Sequence, residues 1–175
     1  MSDPTNVKLG ICAVTFNSVD LGYTKGGVEV EIATEAKNVT VDQFGNSPIN
    51  SIVTGRTCKV KVPLAETTLA NLVAVIPGAS LITDGTDSMK KKVEVPSGVG
   101  TSLLDYAKKL VLHPTANGTD KGDDFTVPLA MTPGTVSFAY KLEDERIYSV
   151  EFTAFADPAN DGQLFIVGDE SAVAA

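Results

Sequence analysis

Hydrophobic and polar residues alternate along most of the chain. The segments Val28-Glu29-Val30-Glu31-Ile32 and Asn38-Val39-Thr40-Val41-Asp42 place apolar side chains at every second position. The same period recurs at 57–62, 136–142 and 148–153. Successive side chains of a strand point to opposite faces, so this alternation predicts strands of antiparallel sheets with one buried face. Further strands are predicted near 8–16, 90–95, 107–112, 125–130 and 163–167.

Turn residues separate these segments at short intervals, as at Gly26-Gly27, Pro96-Ser97-Gly98 and Asp161-Gly162. Glycine and proline punctuate strands because they adopt the backbone angles that turns require. Many short strands at this spacing predict a mainly β domain, an antiparallel sandwich or barrel, over residues 1–175. The tail 172–175 is expected to fray.

One segment has a helical period. Within 66–76, four apolar residues recur at helical spacing and predict one α-helix with an apolar stripe against the sheet. Glu66 lies at its positive end, and Pro77-Gly78 ends it. A further helical turn is predicted at 102–105. The stripe consists of Leu69, Leu72, Val73 and Ile76.

Two connections are longer than hairpins need. The predicted loop 43–55 carries Phe44, Ile49 and Ile52 among Gly, Asn, Ser and Pro, and apolar residues on a long loop indicate a partner surface. The segment 114–124 is polar throughout and predicts a mobile excursion.

Composition narrows the class of protein. The 175 residues are 43% hydrophobic and 21% charged, which is ordinary for a globular domain. The formal net charge of −8 provides no basic footprint for gripping nucleic acid. No apolar run has the length of a membrane span. Met1-Ser2-Asp3-Pro4 lacks a basic region and an apolar stretch, so we expect no signal peptide.

No residue pattern indicates catalysis or a bound cofactor. Cys12 and Cys58 lack metal-type spacing and are expected to be reduced, buried thiols. His113 is the single histidine, and its place before a proline favours a structural role. The acidic clusters 120–124 and 157–162 lack the spacing of calcium loops and are interpreted as turns. We therefore expect a protein that is not an enzyme and has no metal site or cofactor.

Five short motifs carry a resemblance to a known family. They are Gly22–Val30 (GYTKGGVEV), Val41–Asn50 (VDQFGNSPIN), Leu112–Pro114 (LHP), Asp124–Pro128 (DFTVP) and Gly162–Gly168 (GQLFIVG). In this order, the motifs resemble the major tail tube proteins of long-tailed bacteriophages. The same fold occurs in contractile tails, gene transfer agents and type VI secretion, so the resemblance does not separate these systems.

The resemblance implies a sandwich flanked by a helix that assembles into stacked hexameric rings. The rings would form a tail tube, assembled in the bacterial host cytoplasm and carried in the virion. DNA would pass through its lumen during ejection without specific binding. The implied partners are further copies of the chain and other tail proteins, namely the tape measure, tail tip and terminator proteins; no membrane partner is implied.

The tail tube resemblance gives the alternating segments 28–42 a role as a hairpin. Its core residues are expected to be Val28, Val30, Ile32, Val39 and Val41. The other face is a candidate lumen surface that would repel phosphates. The alternative is that these side chains face bulk solvent outside, and Lys59 and Lys61 interrupt the acidity if their strand lines the lumen too. The lumen-facing candidates are Glu29, Glu31, Asn38, Thr40 and Asp42.

A different class of function is a carbohydrate-binding or adhesion module on a virion or cell surface. Such modules display exposed aromatic platforms. Aromatic residues are only 6% of this chain and there is no tryptophan, which disfavours the module. Ring-shaped particles would indicate the tube, whereas a monomer that binds glycans would indicate the module.

Overall fold

The structure, a computed structural model, describes residue 8 and residues 10–173 of the chain. The tail 172–175, predicted to fray, lies partly outside the described residues. Strands dominate, with two short helices, α1 (Leu69–Val75) and α2 (Leu103–Tyr106). The strands are β1 (Cys12–Phe16), β2 (Val19–Asp20), β3 (Glu29–Thr40), β4 (Pro48–Leu64), β5 (Ser80–Thr83), β6 (Lys91–Glu94), β7 (Lys108–Pro114), β8 (Phe125–Met131), β9 (Val136–Ser137), β10 (Tyr148–Ala154) and β11 (Ile166–Val167).

Nine of the described strands form one antiparallel sheet. Its order is β2-β1-β7-β8-β10-β4-β3, with β11 paired to β8 and β9 paired to β10. The hairpin of β5 and β6 is separate. The predicted fold class, mainly β and sandwich-like with a flanking helix, is confirmed.

The segment after β2 brings one edge of the sheet back to β4. Thr24 forms a bridge with Leu64 at the end of β4. Beside it, the Ala65 N–H donates to the Tyr23 carbonyl at 2.8 Å. These contacts wrap the sheet into a barrel-like body around one core.

The alternation of apolar and polar residues along the strands determines which side chains form the core of this body. In β4, Cys58, Val60 and Val62 are buried while the residues between them are exposed, and β10 follows the same rule. The Phe16 and Phe152 rings pack with centroids 5.1 Å apart. The predictions for 57–62 and 148–153 are therefore confirmed. The core contains Val14, Phe16, Leu21, Cys58, Val60, Val62, Leu64, Val75, Ala107, Leu110, Leu112, Val127, Ala130, Met131, Tyr148, Val150 and Phe152.

The helix is present and its predicted stripe is partly right, since half-buried Leu72 and Ile76 pack against the core. Helix α1 begins after Thr68, whose hydroxyl accepts a hydrogen bond from the Asn71 N–H at 3.1 Å. Its buried residues are Asn71 and Val75, whereas Leu69 is exposed. A polar residue thus occupies the centre of the buried face.

Hydrogen bonds explain why Asn71 is buried. Its side-chain amide donates to the Leu21 carbonyl at 2.9 Å and to the Glu66 carbonyl at 2.8 Å. The Glu66 carboxylate in turn accepts from the Tyr23 N–H at 3.1 Å. Because a buried amide is tolerated only when it is bonded, these contacts fix the orientation of α1 and hold the segment that closes the barrel.

The strand predicted at 136–142 is shorter than expected, since only Val136–Ser137 pairs. Beyond it, Phe138 and Tyr140 pack edge to face at 5.7 Å, and the Arg146 guanidinium lies 5.2 Å from the Tyr140 ring centre. Side-chain stacking replaces strand pairing here. The helical turn predicted at 102–105 is confirmed as α2.

The two cysteines are free thiols, as the sequence predicts. Cys58 is buried and Cys12 half-buried, and burial raises the pKa of each thiol.

The prediction of a mobile excursion over 114–124 is wrong at its end. Asp124 is only 7% exposed, because its carboxylate contacts the His113 ring and its backbone joins neighbouring segments.

Candidate assembly surface

Strands β3 and β4 extend beyond the body as a two-stranded hairpin. Pairing of β4 with β10 ends where Lys59 meets Thr153. Pairing of β3 with β4 continues outward from Thr34 and Arg56 to Thr40 and Pro48. We call residues 34–56 the arm. Among the described residues no third strand pairs with it.

The sequence predicted this region wrongly in two ways. The segments 28–32 and 38–42 were expected to pair as a hairpin, but residues 29–40 form the single strand β3 because no turn residue interrupts 33–37. The predicted loop 43–55 is mostly strand, since β4 begins at Pro48. The turn itself is tight and uses Gly45 at φ 59 and ψ −129, a conformation that favours glycine.

One side of β3 continues the core side of the body. Val30 lies opposite buried Val60, and Ile32 lies opposite buried Cys58. Side chains of directly paired residues point to the same face. Val30 and Ile32 are nevertheless 39% and 47% exposed, because no second layer covers this edge. The predicted burial of these residues is therefore wrong, although their facing is right. Val28, Val39 and Val41, also expected in the core, are only half-buried.

The apolar surface resumes on the arm beyond the polar pair Thr34 and Arg56, which lies on the same side. Val53 pairs with Ala36, on the same side as Ile32, and is 52% exposed. We call Val30, Ile32 and Val53 the apolar stripe. A row of exposed β-branched side chains on a projecting hairpin indicates a surface that another element covers.

Phe44, Ile49 and Ile52 are exposed as well, and none packs into the core. Phe44 lies in the turn, and Ile49 is the extra residue of a bulge between Pro48 and Asn50. Ile52 lies on strand β4 and not on a loop. Each therefore remains available to a partner, from a strand-paired hairpin instead of an irregular loop.

The outer edge of β3 is long and open. The strand has twelve residues and pairs only with β4 in the part of the chain that the structure describes. Proteins that stay monomeric block such edges with proline, charged side chains (lysine above all), bulges or covering segments. Strand β3 contains no proline and, beside three glutamates, a single lysine, Lys37. The edge can accept a further strand.

The polar side of the hairpin base carries a ladder of charges. The Lys61 Nζ lies 3.9 Å from the Glu29 carboxylate and 4.0 Å from that of Glu31. The Lys59 Nζ lies 2.9 Å from the Glu151 carboxylate, which raises the pKa of Lys59. The charge ladder thus comprises Glu29, Glu31, Glu151, Lys59 and Lys61, and it is nearly neutral instead of uniformly acidic.

The five lumen-facing candidates do not share one face. Glu29 and Glu31 lie on the charge-ladder side of β3. Asn38 and Thr40 lie on the opposite side, because side chains alternate along one uninterrupted strand. Asp42 lies in the turn. All five are exposed. Sequence reasoning grouped them because it treated β3 as two strands.

An aromatic surface relevant to glycan binding is limited. Tyr140 is exposed, but Arg146 covers one face of its ring, and the ring edge contacts Phe138. The other exposed aromatic residues are Tyr23, Phe44, Tyr106 and Phe138.

No described helix has the length and apolarity to cross a membrane. Within residues 10–173 and residue 8, no group of three His, Cys, Asp or Glu side chains has a metal-binding arrangement.

Comparisons with known proteins add little to this geometry. No protein-family model matches the sequence, and a search of curated proteins finds no match. Among solved structures, a chain titled "Virion of native gene transfer agent (GTA) particle" is similar with a TM-score of 0.40 and 8% identity. The similarity covers 81% of this chain and 88% of that chain. A likeness this loose leaves function to be argued from the hairpin itself.

Proposed function

We propose that this chain is a structural virion protein that polymerises into stacked hexameric rings and forms a tail tube. The observation that supports the proposal best is the open twelve-residue edge of β3 beside the exposed apolar stripe. A neighbouring copy that adds a strand to this edge would satisfy its free backbone groups.

The arm would be more stable when neighbouring subunits cover it than in an isolated chain. An isolated two-stranded hairpin is at best marginally stable in water. The arm gains stability when its stripe is covered, at about 25 cal/mol for each Å² of apolar surface removed from water. Six copies that each extend an arm onto the next would close a ring without leaving a free edge. Phe44 and Ile49 would then contact the adjacent subunit, whereas Ile52, paired with Lys37 on the Glu29 side of β3, would not.

The charge ladder suits the wall of a DNA conduit. In the proposed tube, the side bearing Glu29 and Glu31 faces the lumen, and Asn38 and Thr40 face the neighbouring subunit. Lys59 and Lys61 are held by carboxylates, so they offer phosphates little free positive charge. Because affinity for DNA depends on cations that replace its counterions, such a wall lets DNA pass without binding it.

The proposed setting is the virion tail, assembled in the host cytoplasm. The partners would be further copies of this chain and the tape measure, tail tip and terminator proteins. The proposal assigns the chain no catalytic step, cofactor or membrane partner.

Substitutions in the apolar stripe test the proposal. Val53→Asp adds a charge at the proposed interface, while Val99→Asp places the same charge on a loop residue that is 93% exposed. We expect both variants to fold and only Val53→Asp to lose rings and tubes in sedimentation velocity and negative-stain microscopy. Normal tubes from Val53→Asp would remove the stripe from the interface. A strict monomer at every concentration that binds glycans on an array would instead favour the carbohydrate-binding module.

A further inference from the structure

A single histidine closes the connection between β7 and β8. The His113 Nδ1 lies 2.5 Å from the Asp124 carboxylate, and its Nε2 lies 2.9 Å from the Gly118 carbonyl oxygen. His113 is the penultimate residue of β7, and Asp124 immediately precedes β8. The ring therefore spans the two ends of the loop 115–123 and also reaches its middle.

Both ring nitrogens face hydrogen-bond acceptors. A carbonyl oxygen cannot donate, and an ionised carboxylate cannot donate either. A neutral imidazole has one N–H and can satisfy only one of these partners, whereas the imidazolium form donates to both. The geometry thus fits the protonated ring, and loss of its proton breaks one of the two contacts.

Other contacts connect this loop to distant parts of the chain. The Gly168 N–H donates to the Asp124 carbonyl at 2.8 Å, just after β11. The Asn117 side chain donates to the Asp123 carboxylate at 2.7 Å, and Lys8 pairs with the same carboxylate. Ala116 and Asn117 form one wall of a hollow of about 300 Å³ that Ile11, Cys12 and Val28 also line.

We infer that His113, Asp124 and Gly118 form a pH-sensitive clamp that holds loop 115–123 closed when the imidazole is protonated and releases it when the proton leaves. Release would open the hollow beside Cys12 and loosen the anchors near Lys8 and Gly168. The loop surface therefore differs between mildly acidic and alkaline conditions, while the barrel body does not.

The charged groups around the ring determine the direction of the effect. The hydrogen bond from the ring to Asp124 raises the pKa of His113 most and the Gly118 carbonyl raises it further, while desolvation of the ring and then Lys121 lower it. Asp123 is already paired with Lys8. On the facing strand β1, the residue opposite His113 is the uncharged Ala13. Since the folded pKa is raised, the clamp is complete below the ordinary histidine pKa and is lost as the pH rises through the folded value.

The test uses the intact protein, because its sole histidine gives one imidazole signal in NMR. We expect this signal to titrate above the ordinary value. Hydrogen exchange of peptide 115–123, corrected for the intrinsic pH dependence of exchange, should quicken over the same pH range. For each unit by which the pKa of His113 lies above its ordinary value, protonation of the ring shifts the equilibrium between open and closed loop about tenfold toward the closed form.

Asp124→Asn supplies the decisive variant. An asparagine amide can donate to a neutral ring nitrogen while the other ring nitrogen donates to Gly118, so the loop stays closed at high pH. We expect the pKa of His113 to fall and the alkaline rise in exchange to disappear. Asp120→Asn is the matched control, since this carboxylate accepts from the Gly122 N–H and does not touch His113. It should retain the wild-type pH dependence.

His113→Gln provides a second variant should Asp124→Asn fail to fold, and it too should abolish the pH dependence of exchange in 115–123. An imidazole that titrates at its ordinary value in the wild type would overturn the inference. Equal pH dependence in the wild type and Asp124→Asn would overturn it as well.

Discussion

The body and the arm contain the same alternating pattern but use it differently. In β10, Val150 and Phe152 alternate with polar residues and are fully buried by the opposing wall of the barrel. In β3, Val30 and Ile32 alternate with glutamates in the same way, yet both remain largely exposed. The difference lies in what covers each strand and not in the strand itself. Alternation specifies which side of a strand is apolar, while burial depends on a second layer that can belong to another molecule.

Because the core is covered within one chain and the arm is not, we expect core substitutions to destabilise the monomer and arm substitutions to leave its stability unchanged. Phe152→Ala removes a ring that packs on Phe16, and it should lower the free energy of unfolding by about 3–5 kcal/mol. Phe44→Ala makes the same change at an exposed turn residue and should cost at most about 0.5 kcal/mol. Chemical denaturation of both variants measures the difference. Equal losses would show that the arm packs on its own body.

A smaller effect is expected where α1 holds the segment that closes the barrel. Asn71→Ala leaves the Leu21 and Glu66 carbonyls without their donor and should cost about 1–3 kcal/mol. Asn38→Ala on the exposed arm is the control and should stay within about 0.5 kcal/mol of the wild type. Thermal and denaturant unfolding measure both. An unchanged stability for Asn71→Ala would mean that the closure does not depend on this amide.

The smallest effect on stability is expected at the charge ladder. Replacing Glu29 and Glu31 by lysine leaves four lysines facing Glu151 on a solvent-exposed surface, so the monomer should fold with nearly unchanged stability. Assembled tubes of this variant should retain DNA, and the retention should weaken with salt. Replacing Asn38 and Thr40 by lysine, on the other side of β3, should not produce retained DNA. DNA binding by both variants, or by neither, would contradict the assignment of sides.

Much of the fold was predictable because strands and turns are encoded locally. The period of 57–62 and 148–153 indicated the buried strands, and Pro77-Gly78 indicated the end of α1. The remainder depends on contacts distant in sequence. Buried Asn71 is acceptable only because Leu21 and Glu66 supply carbonyls to it, and no local pattern shows those partners. The β4 half of the arm was mistaken for a loop because glycine, asparagine and proline near 45–50 suggested irregular structure.

The candidate surface was also predictable in part, because its exposed apolar residues can be identified from their neighbours in the sequence. Phe44, Ile49 and Ile52 were identified as exposed apolar residues from their polar neighbours, and they are exposed. The grouping of Glu29 with Asn38 failed because the continuity of β3 is a property of the whole hairpin. The contact between His113 and Asp124 had no local signal, since the two residues are separated by the loop that they close.

Electron cryo-microscopy of the protein at concentrations that favour assembly tests the proposed tube most directly. We expect hexameric rings in which the outer edge of β3 pairs with a strand of the next subunit. We also expect Val30, Ile32 and Val53 to be covered and the charge ladder to line the channel. Rings in which the β3 edge stays in solvent, or a protein that remains monomeric at every concentration, would contradict the proposed tube.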